Sequence, residues 1–273
     1  MSESSTIVMI RGVARKFFEG KKCLFCDKYG LYKLKDKRVK CKYCNKYYSI
    51  NRLRRDLQIL YYFYLEISAR RASKELGLNY KTVESRFMEF RKLIAAYCDK
   101  QSENLKGELE MDESYFDGKR KGQRGRGAKN KAIAFGILER KGKVHTVIVP
   151  DVSADTLMER IKNKTKKGAV FYTDGWKSYA ILHQYGKHNI IKHDEDELVN
   201  GKTHINGKTH INGIEGFWSY AKERFHNYHG INRNNYPLYL KEMEFRFNNR
   251  DRNVYNLLFD ICIKRCKIGA DFG

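Results

Sequence analysis

Residues 107–116 read Gly107-Glu-Leu-Glu-Met-Asp-Glu-Ser-Tyr-Phe116, and the fold expected for the larger part of the chain follows from them. Acidic and apolar residues alternate in this stretch, which predicts a β-strand. In such a strand, Asp112 shares a face with Glu110 and Ser114. A buried carboxylate costs free energy unless it is paired or bound to a metal ion, so Asp112 is a candidate functional residue.

The residues that follow predict the remaining elements of an α/β domain. Two apolar segments separated by Lys141 and Gly142 indicate an antiparallel hairpin, and Ser153 is a suitable cap for the helix that comes next. The expected elements are strands over 132–138 and 144–149, a helix over 154–164, a strand over 169–174, a short helix over 176–185 and a strand near 189–192. Three strands, a helix and a further strand are the order of a ribonuclease-H-like core. We therefore predict such an α/β domain over residues 104–273.

Three acidic residues of this domain occupy different elements. Asp174 closes an apolar run at a strand end, where ligands of open α/β sheets usually bind. Glu215 opens a helix-like segment, and Lys222 lies on the same helix face. Asn212, three residues before Glu215, can reach that side as well. Carboxylates at a mid-strand position (Asp112), a strand end and a helix start can converge on a pair of divalent metal ions.

The charge of the chain indicates a polyanionic partner. Lysine and arginine total 55 against 32 acidic residues, so the formal net charge is +23 and the isoelectric point is near 9.6. That excess favours nucleic acid as the partner, because many cations would release counterions from its backbone. No apolar run reaches membrane-spanning length, and residues 1–5 lack the features of a secretory signal, so we expect a cytoplasmic protein. The aromatic fraction of 13% is compatible with base stacking, although we expect most rings in the core.

Four of the seven cysteines form two close pairs near the N-terminus. Cys23 and Cys26 are separated by two residues, as are Cys41 and Cys44, and fourteen residues lie between the pairs. This spacing predicts two knuckles that hold one tetrahedral zinc ion, within a zinc ribbon over residues 1–50. Four protein ligands leave no open position, so the zinc would be structural. Free thiols that pair by chance are the alternative.

Residues 51–103 have the pattern of a helix-turn-helix domain. One helix should end near Leu76, a turn follows at Gly77, and a second helix starts at about Tyr80. In that arrangement four residues would face a DNA major groove, namely Tyr80, Lys81, Thr82 and Ser85. A plain helical hairpin that links two domains is the alternative.

Two further segments have unusual composition. The basic, glycine-rich residues 118–131 predict a DNA contact, with Arg124, Arg126 and Lys129 as the candidate residues, or else a solvated hairpin. The hexapeptide Asn-Gly-Lys-Thr-His-Ile occurs twice in tandem over 200–211, which predicts a polar loop without chemistry of its own.

Several stretches together are similar to a known family. They are Met111-Asp-Glu-Ser-Tyr-Phe116, Tyr172-Thr-Asp-Gly-Trp176, His210-Ile-Asn-Gly-Ile-Glu-Gly-Phe-Trp-Ser-Tyr-Ala-Lys222 and Tyr239-Leu-Lys-Glu-Met-Glu-Phe-Arg-Phe-Asn-Asn-Arg250. With them the chain resembles the DDE transposases of bacterial insertion sequences. The branch is the one with an N-terminal zinc ribbon, which is related to eukaryotic Merlin elements.

This resemblance implies cleavage at transposon ends, followed by transfer of a 3′-hydroxyl strand into target DNA. Asp112 and Asp174 become the first two ligands of magnesium or manganese. Family members use either the Asn or the Glu of the helix motif as the third, so Asn212 and Glu215 compete. We favour Glu215, since an anionic oxygen is the better magnesium ligand. Lys222 can then contact a phosphate or position DNA near the cut.

The implied partners are the terminal inverted repeats of the transposon and target DNA, bound by a homo-oligomer. The implied location is the bacterial cytoplasm, in association with the nucleoid. Two other functions remain open at this stage. One is a DNA-binding regulator whose ribonuclease-H-like core is inactive. The other is a ribonuclease-H-like nuclease that does not transfer strands.

Overall fold

The computed structural model describes residues 22–101, 104–116, 131–174, 177–191, 211–228 and 230–263. The chain forms two units. One comprises the described residues up to Tyr97 together with those from Asp251 onward, and the other comprises Cys98–Arg250. Within the described residues, no helix has the length and apolar character needed to cross a membrane.

The first unit combines a small antiparallel sheet with helices. Its strands are β1 (Leu31–Lys33), β2 (Arg38–Cys41) and β3 (Tyr47–Ser49), in that spatial order, and its helices are α1 (Ile50–Tyr64), α2 (Ala69–Leu76), most of α3 (Tyr80–Gln101) and α7 (Val254–Cys262). Ser49 and Ser68 cap α1 and α2 by accepting hydrogen bonds from the backbone N–H groups of Arg52 and Arg71. Gly77 ends α2 in the left-handed conformation, with φ of 62°. The helix, turn and helix therefore occur at the residues that the sequence predicts.

The second unit contains a mixed five-stranded sheet. Its elements are β4 (Glu108–Phe116), β5 (Ala132–Glu139), β6 (Val144–Val149), α4 (Ala154–Lys164), β7 (Val170–Asp174), β8 (Lys187–Ile191), α5 (Asn212–Tyr228) and α6 (Tyr236–Asn248). The spatial order is β6-β5-β4-β7-β8, with antiparallel pairing on the β5–β6 side of β4 and parallel pairing on the β7–β8 side. The predicted α/β fold is confirmed, and the three strands, the helix and the further strand follow one another in the predicted order. The helix predicted over 176–185 is instead a 3-10 helix over Lys177–Gln184, a form common in short connections.

The two faces of this sheet pack against different helices. On one face, Leu109 and Met111 of β4 join Leu157 and Ile161 of α4 in a buried cluster. On the opposite face, Phe116 of β4 packs with a cluster from α5 and α6 that includes Ile214, Phe217, Trp218, Leu240 and Met243. Because successive side chains of a strand point to opposite faces, Asp112 points to the α5 side and Glu113 to the α4 side.

Helix α6 packs along β6, which is one edge strand of the sheet. The side-chain amide of Asn248 accepts a hydrogen bond from the Val144 N–H and donates one to the Val144 carbonyl, both at 2.8 Å. Glu244 accepts bonds from the N–H and the hydroxyl of Thr146, both also at 2.8 Å. These side chains satisfy backbone groups of the edge strand, which would otherwise be available for pairing with another chain.

Candidate active site and metal centre

Asp112 and Asp174 lie on adjacent parallel strands at the same level. The register between β4 and β7 pairs Glu110 with Tyr172. Asp112 and Asp174 each lie two residues further along their strands, on the same face. Asp174 is the last residue of β7. The sheet therefore directs both aspartates to the side covered by α5.

The electrostatic environment of Asp112 includes three other residues of the predicted site. Burial raises the pKa of Asp112 to about 6, and the charges of Asp174 and Glu215 add to this increase. The backbone N–H of Glu113, which donates to Asp112 Oδ1 at 2.8 Å, and the ammonium of Lys222 act in the opposite direction. Residues far apart in sequence thus come within interacting distance of Asp112.

Helix α5 buries its apolar face and leaves three polar residues of the predicted site exposed. Asn212, Glu215 and Lys222 are exposed, whereas Trp218 is 3% exposed. Trp218 lies over Gly136, which is the residue paired with Asp112 in the neighbouring strand. A Cβ atom at position 136 would lie 2.6 Å from Trp218 Cζ2, so the glycine allows the helix to approach the sheet beside Asp112.

A buried carboxylate that sequence reasoning did not assign to the site connects the central strand to α5. Glu110 is 2% exposed, and its Oε2 accepts a hydrogen bond from the Ile214 N–H at 3.0 Å. Its other oxygen accepts a hydrogen bond from Arg140 Nε, also at 3.0 Å. The first turn of a helix has unpaired N–H groups that favour a negative charge, so Glu110 acts as a cap from outside the helix. The signals available in the sequence were the position of Glu110 on the Asp112 face and the small residue Gly213 beside it.

Glu113 is a second acidic residue that sequence reasoning did not include. It points into the opposite face of the sheet, where its carboxylate accepts a hydrogen bond from the hydroxyl of the buried Tyr179. Burial raises the pKa of Glu113 to about 7, and the charges of Asp112 and Asp174 contribute, while the Tyr179 hydrogen bond lowers it. The carboxylates of Asp112 and Asp174 therefore have a further ionisable neighbour behind the strand.

The second unit matches a known protein family. A family model described as an ISXO2-like transposase domain matches residues 104–248, which is more than half of the chain. The chain belongs to this transposase family. It is an insertion-sequence DDE transposase by family, as the sequence motifs predict.

Two relatives of this transposase come from prokaryotic genomes. An uncharacterized transposase-like protein of Haemophilus influenzae is 38% identical over 112 residues, which cover 41% of this chain and 85% of the relative. A protein in the transposable element ISH50 of Halobacterium salinarum is 24% identical over 208 residues, covering 70% of this chain and 67% of that protein.

Among solved structures, the transposase has a weak likeness to the Mos1 transposase paired-end complex with left transposon end. The sequence identity is 12%, the match covers 72% of this chain and 75% of the other, and the TM-score is 0.25. A TM-score this low supports no conclusion about a shared fold.

The four predicted zinc ligands of the transposase form one cluster. Among the described residues, Cys23, Cys26, Cys41 and Cys44 are the set of potential ligands whose sulfur atoms all lie within 4.8 Å of one another. The Cys23–Cys44 and Cys26–Cys41 sulfur distances are both 3.6 Å, close to the value of about 3.8 Å expected for a tetrahedral zinc with Zn–S bonds of 2.3 Å. This group could therefore bind zinc.

The two knuckles have the same backbone hydrogen bonds. In the first knuckle the Phe25 N–H donates to Cys23 Sγ, and in the second the Tyr43 N–H donates to Cys41 Sγ, both at 3.4 Å. Asp27 and Asn45, at equivalent positions, both adopt positive φ of 57°. Such N–H···S bonds favour thiolates, which are the form that binds a metal.

The remaining predicted residues fall into two groups. Tyr80, Lys81 and Ser85 are exposed at the start of α3, and Thr82 is half-buried there. The candidate DNA contacts Arg124, Arg126 and Lys129 lie outside the described residues, as does most of the tandem hexapeptide.

Proposed function

We propose that the chain is a DNA transposase that cleaves the ends of an insertion sequence and joins the freed 3′-hydroxyl to target DNA. The observation that carries this proposal is the electrostatic coupling of Asp112 with Asp174 and Glu215, which come from two neighbouring strands and one helix. Membership of the ISXO2-like transposase family supports DNA as the substrate.

The proposed acidic site has the chemistry of a magnesium or manganese site. Carboxylate oxygens are the ligands that these hard cations prefer. The charges of Asp174 and Glu215 oppose ionisation of Asp112, and a divalent cation between them would relieve that repulsion. Asp112, Asp174 and either Glu215 or Asn212 would hold the ions. When bound, a pair of such ions stabilises the attacking and leaving oxygens of an in-line phosphoryl transfer.

The protein side chains would position the reacting phosphate. Asp112 and Asp174 approach it from the sheet, whereas Glu215 and Lys222 approach it from α5. Lys222 provides an ammonium group for a phosphate oxygen. The packing of Trp218 on the sheet supports this proposal, because a buried anchor on the same helix restricts how far these groups can move.

We further propose that the N-terminal part of the chain binds DNA and zinc. The domains would be a zinc ribbon over 1–50, a helix-turn-helix domain over 51–103 and a catalytic domain over 104–273. Tyr80, Lys81, Thr82 and Ser85 would read a major groove, and Arg124, Arg126 and Lys129 would contact the DNA backbone. A structural zinc at the four cysteines would stabilise the ribbon, and two DNA ends held together imply a homo-oligomer.

This proposal can be tested by measuring cleavage by the purified protein of DNA that contains the sequences flanking its gene. We expect the wild-type protein to cleave this DNA when Mg²⁺ or Mn²⁺ is added, and Asp174→Ala to abolish cleavage without weakening DNA binding. Glu223→Gln is the matched control, because Glu223 is an exposed acid of the same helix. Undiminished cleavage by D174A would exclude the proposed site.

The same assay distinguishes the open alternatives. Loss of cleavage in Glu215→Gln but not in Asn212→Ala identifies Glu215 as the third ligand, and the opposite result identifies Asn212. Binding without cleavage by the wild-type protein would indicate a DNA-binding regulator with an inactive core. Cleavage without joining of the 3′-hydroxyl end would indicate a nuclease.

A further inference from the structure

A row of three side chains crosses the sheet of the first unit. The strand register pairs Tyr32 with Lys40 and Lys40 with Tyr47. Residues paired across neighbouring strands present their side chains on the same face. Two tyrosines therefore flank one lysine, with ring positions separated by two strand spacings, or roughly 10 Å.

This face of the sheet is accessible, whereas the central strand β2 buries the side chains of its opposite face. Tyr32 is 40% exposed and Tyr47 is 56% exposed. Val39 and Cys41, which alternate with Lys40 along β2, are 7% and 0% exposed. Strand β2 thus directs one face to the small core, whereas the row of Tyr32, Lys40 and Tyr47 lies on the surface. Core packing therefore does not explain the aromatic rings of this row.

The surroundings of the row are strongly basic. Residues 22–49 include nine lysines and arginines against two aspartates, so the segment stays positive even when four thiolates and a zinc ion are counted. Arg38, on the same face as Lys40, stacks over the Tyr47 ring at 4.3 Å from its centroid. Asp36 pairs with Arg38 at 2.6 Å and offsets part of that charge. Exposed rings beside cations form the combination that binds single-stranded nucleic acids, because rings stack on bases and cations contact phosphates.

We propose that the row of Tyr32, Lys40 and Tyr47 is a binding surface for unpaired DNA bases, two of which stack on the two tyrosines while Lys40 contacts the phosphate between them. Base faces are accessible only in unpaired DNA, so this surface selects a single strand over a duplex. The high lysine content disfavours a protein partner, because lysine is depleted in protein interfaces. The choice of DNA rests on the proposed transposase function.

Crosslinking with the zinc-loaded full-length chain tests this inference directly. The probe is a thymidine oligonucleotide that contains 5-iodouracil, and the crosslinked peptides are identified by mass spectrometry after irradiation. We expect crosslinks at Tyr32 and Tyr47. Crosslinks that are confined to other parts of the chain would overturn the inference.

Fluorescence anisotropy with the same thymidine oligonucleotide and with a duplex of equal length measures the contribution of the rings. We expect the double variant Y32L/Y47L to lose about tenfold in affinity for the single strand, and less than about twofold for the duplex. Y32F/Y47F, which keeps the rings, should bind like the wild-type protein. Lys40→Gln should reduce the salt dependence of single-strand binding by about one unit of slope, whereas the tyrosine changes leave it unchanged.

Two other tyrosines of the same unit provide a matched control. Tyr29 and Tyr43 are 67% and 60% exposed but lie outside the cross-strand row. The variant Y29L/Y43L should retain single-strand affinity. Equal losses in both double variants, or equal losses for single strand and duplex in Y32L/Y47L, would contradict the inference. None of these readouts requires cleavage, so a catalytically inactive chain would overturn only the proposed reaction.

Discussion

Glu110 of the central strand accepts a hydrogen bond from the backbone N–H of Ile214, in the first turn of α5, at 3.0 Å. Asp112 lies two residues after Glu110, and Glu215 follows Ile214 directly. One buried carboxylate therefore connects the strand that carries the first acidic residue with the helix that carries the third. The position of α5 relative to the sheet depends on this contact as well as on apolar packing.

The first prediction distinguishes the effect of the side-chain length of Glu110 from the effect of its charge. Glu110→Asp keeps the charge beside Arg140 but retracts the carboxylate by about 1.5 Å, so the bond to Ile214 is lost. Glu110→Gln keeps the reach and loses the charge. We expect E110D to require about tenfold more Mg²⁺ for half-maximal end cleavage, and E110Q to be less affected. Glu108→Gln is the control, because Glu108 contacts Arg140 and Tyr172 instead of α5. A larger effect in E110Q would show that the charge of Glu110 matters more than its reach to the Ile214 N–H.

The second prediction compares two glycines of α5. A Cβ atom at Gly213 would lie 2.8 Å from Glu110 Oε2, whereas a Cβ atom at Gly216 meets nothing within 4 Å. We expect Gly216→Ala to raise the free energy of unfolding by about 0.5–1 kcal/mol, since alanine is the better helix former. Gly213→Ala should lower it by about 1–3 kcal/mol through overpacking. Urea denaturation of both variants measures the difference, and stabilisation by G213A would contradict the tight contact.

The third prediction concerns the four-cysteine cluster. We expect the purified protein to contain about one zinc ion per chain, and Cys41→Ala to contain none, because three thiolates bind the ion far less strongly. Cys98→Ala is the control, since Cys98 is also buried but lies outside the cluster. Elemental analysis measures the metal content. A zinc content in C41A equal to that of C98A would exclude the proposed centre.

The fourth prediction uses the buried His145 beside α6. Burial lowers its pKa to about 2, and the charges of Lys241 and Lys164 contribute. Glu244 lies 3.9 Å away and could form an ion pair with a protonated ring, but its carboxylate is already bound by Lys241 at 2.8 Å and by Thr146. We therefore expect a neutral ring in the folded protein.

The pH dependence of stability follows from this neutral ring. Below the unfolded-state value of 6.5, the unfolded chain takes up a proton at His145 and the folded chain does not, so stability falls as the pH falls. The loss approaches about 1.4 kcal/mol per pH unit between pH 6 and 4. Urea denaturation across this range should show a shallower decline for His145→Gln than for the wild-type protein. Parallel curves for the two proteins would show that His145 is protonated in the folded state.

Local patterns in the sequence were sufficient for most of the elements and for the four-cysteine cluster. The helix over 154–164 and its Ser153 cap occur as predicted, since capping and apolar spacing depend on neighbouring residues. The CxxC pairs likewise predict a tight cluster, because each knuckle is a short closed turn. The motifs around Asp112, Asp174 and Glu215 also identify the family, whereas the assignment of these residues as metal ligands stays a prediction.

The tertiary structure alone determined the contacts between residues that are distant in the sequence. Periodicity shows that Glu110 shares a face with Asp112, but only the packing of α5 on β4 brings Glu110 to the Ile214 N–H. The same holds for Gly136 beneath Trp218 and for Glu113 beside Tyr179. The row of Tyr32, Lys40 and Tyr47 arises from strand register, whereas sequence reasoning placed most aromatic rings in the core. A sequence pattern reports which face of its own element a residue occupies, and the partner of that face is set by how the elements pair and pack.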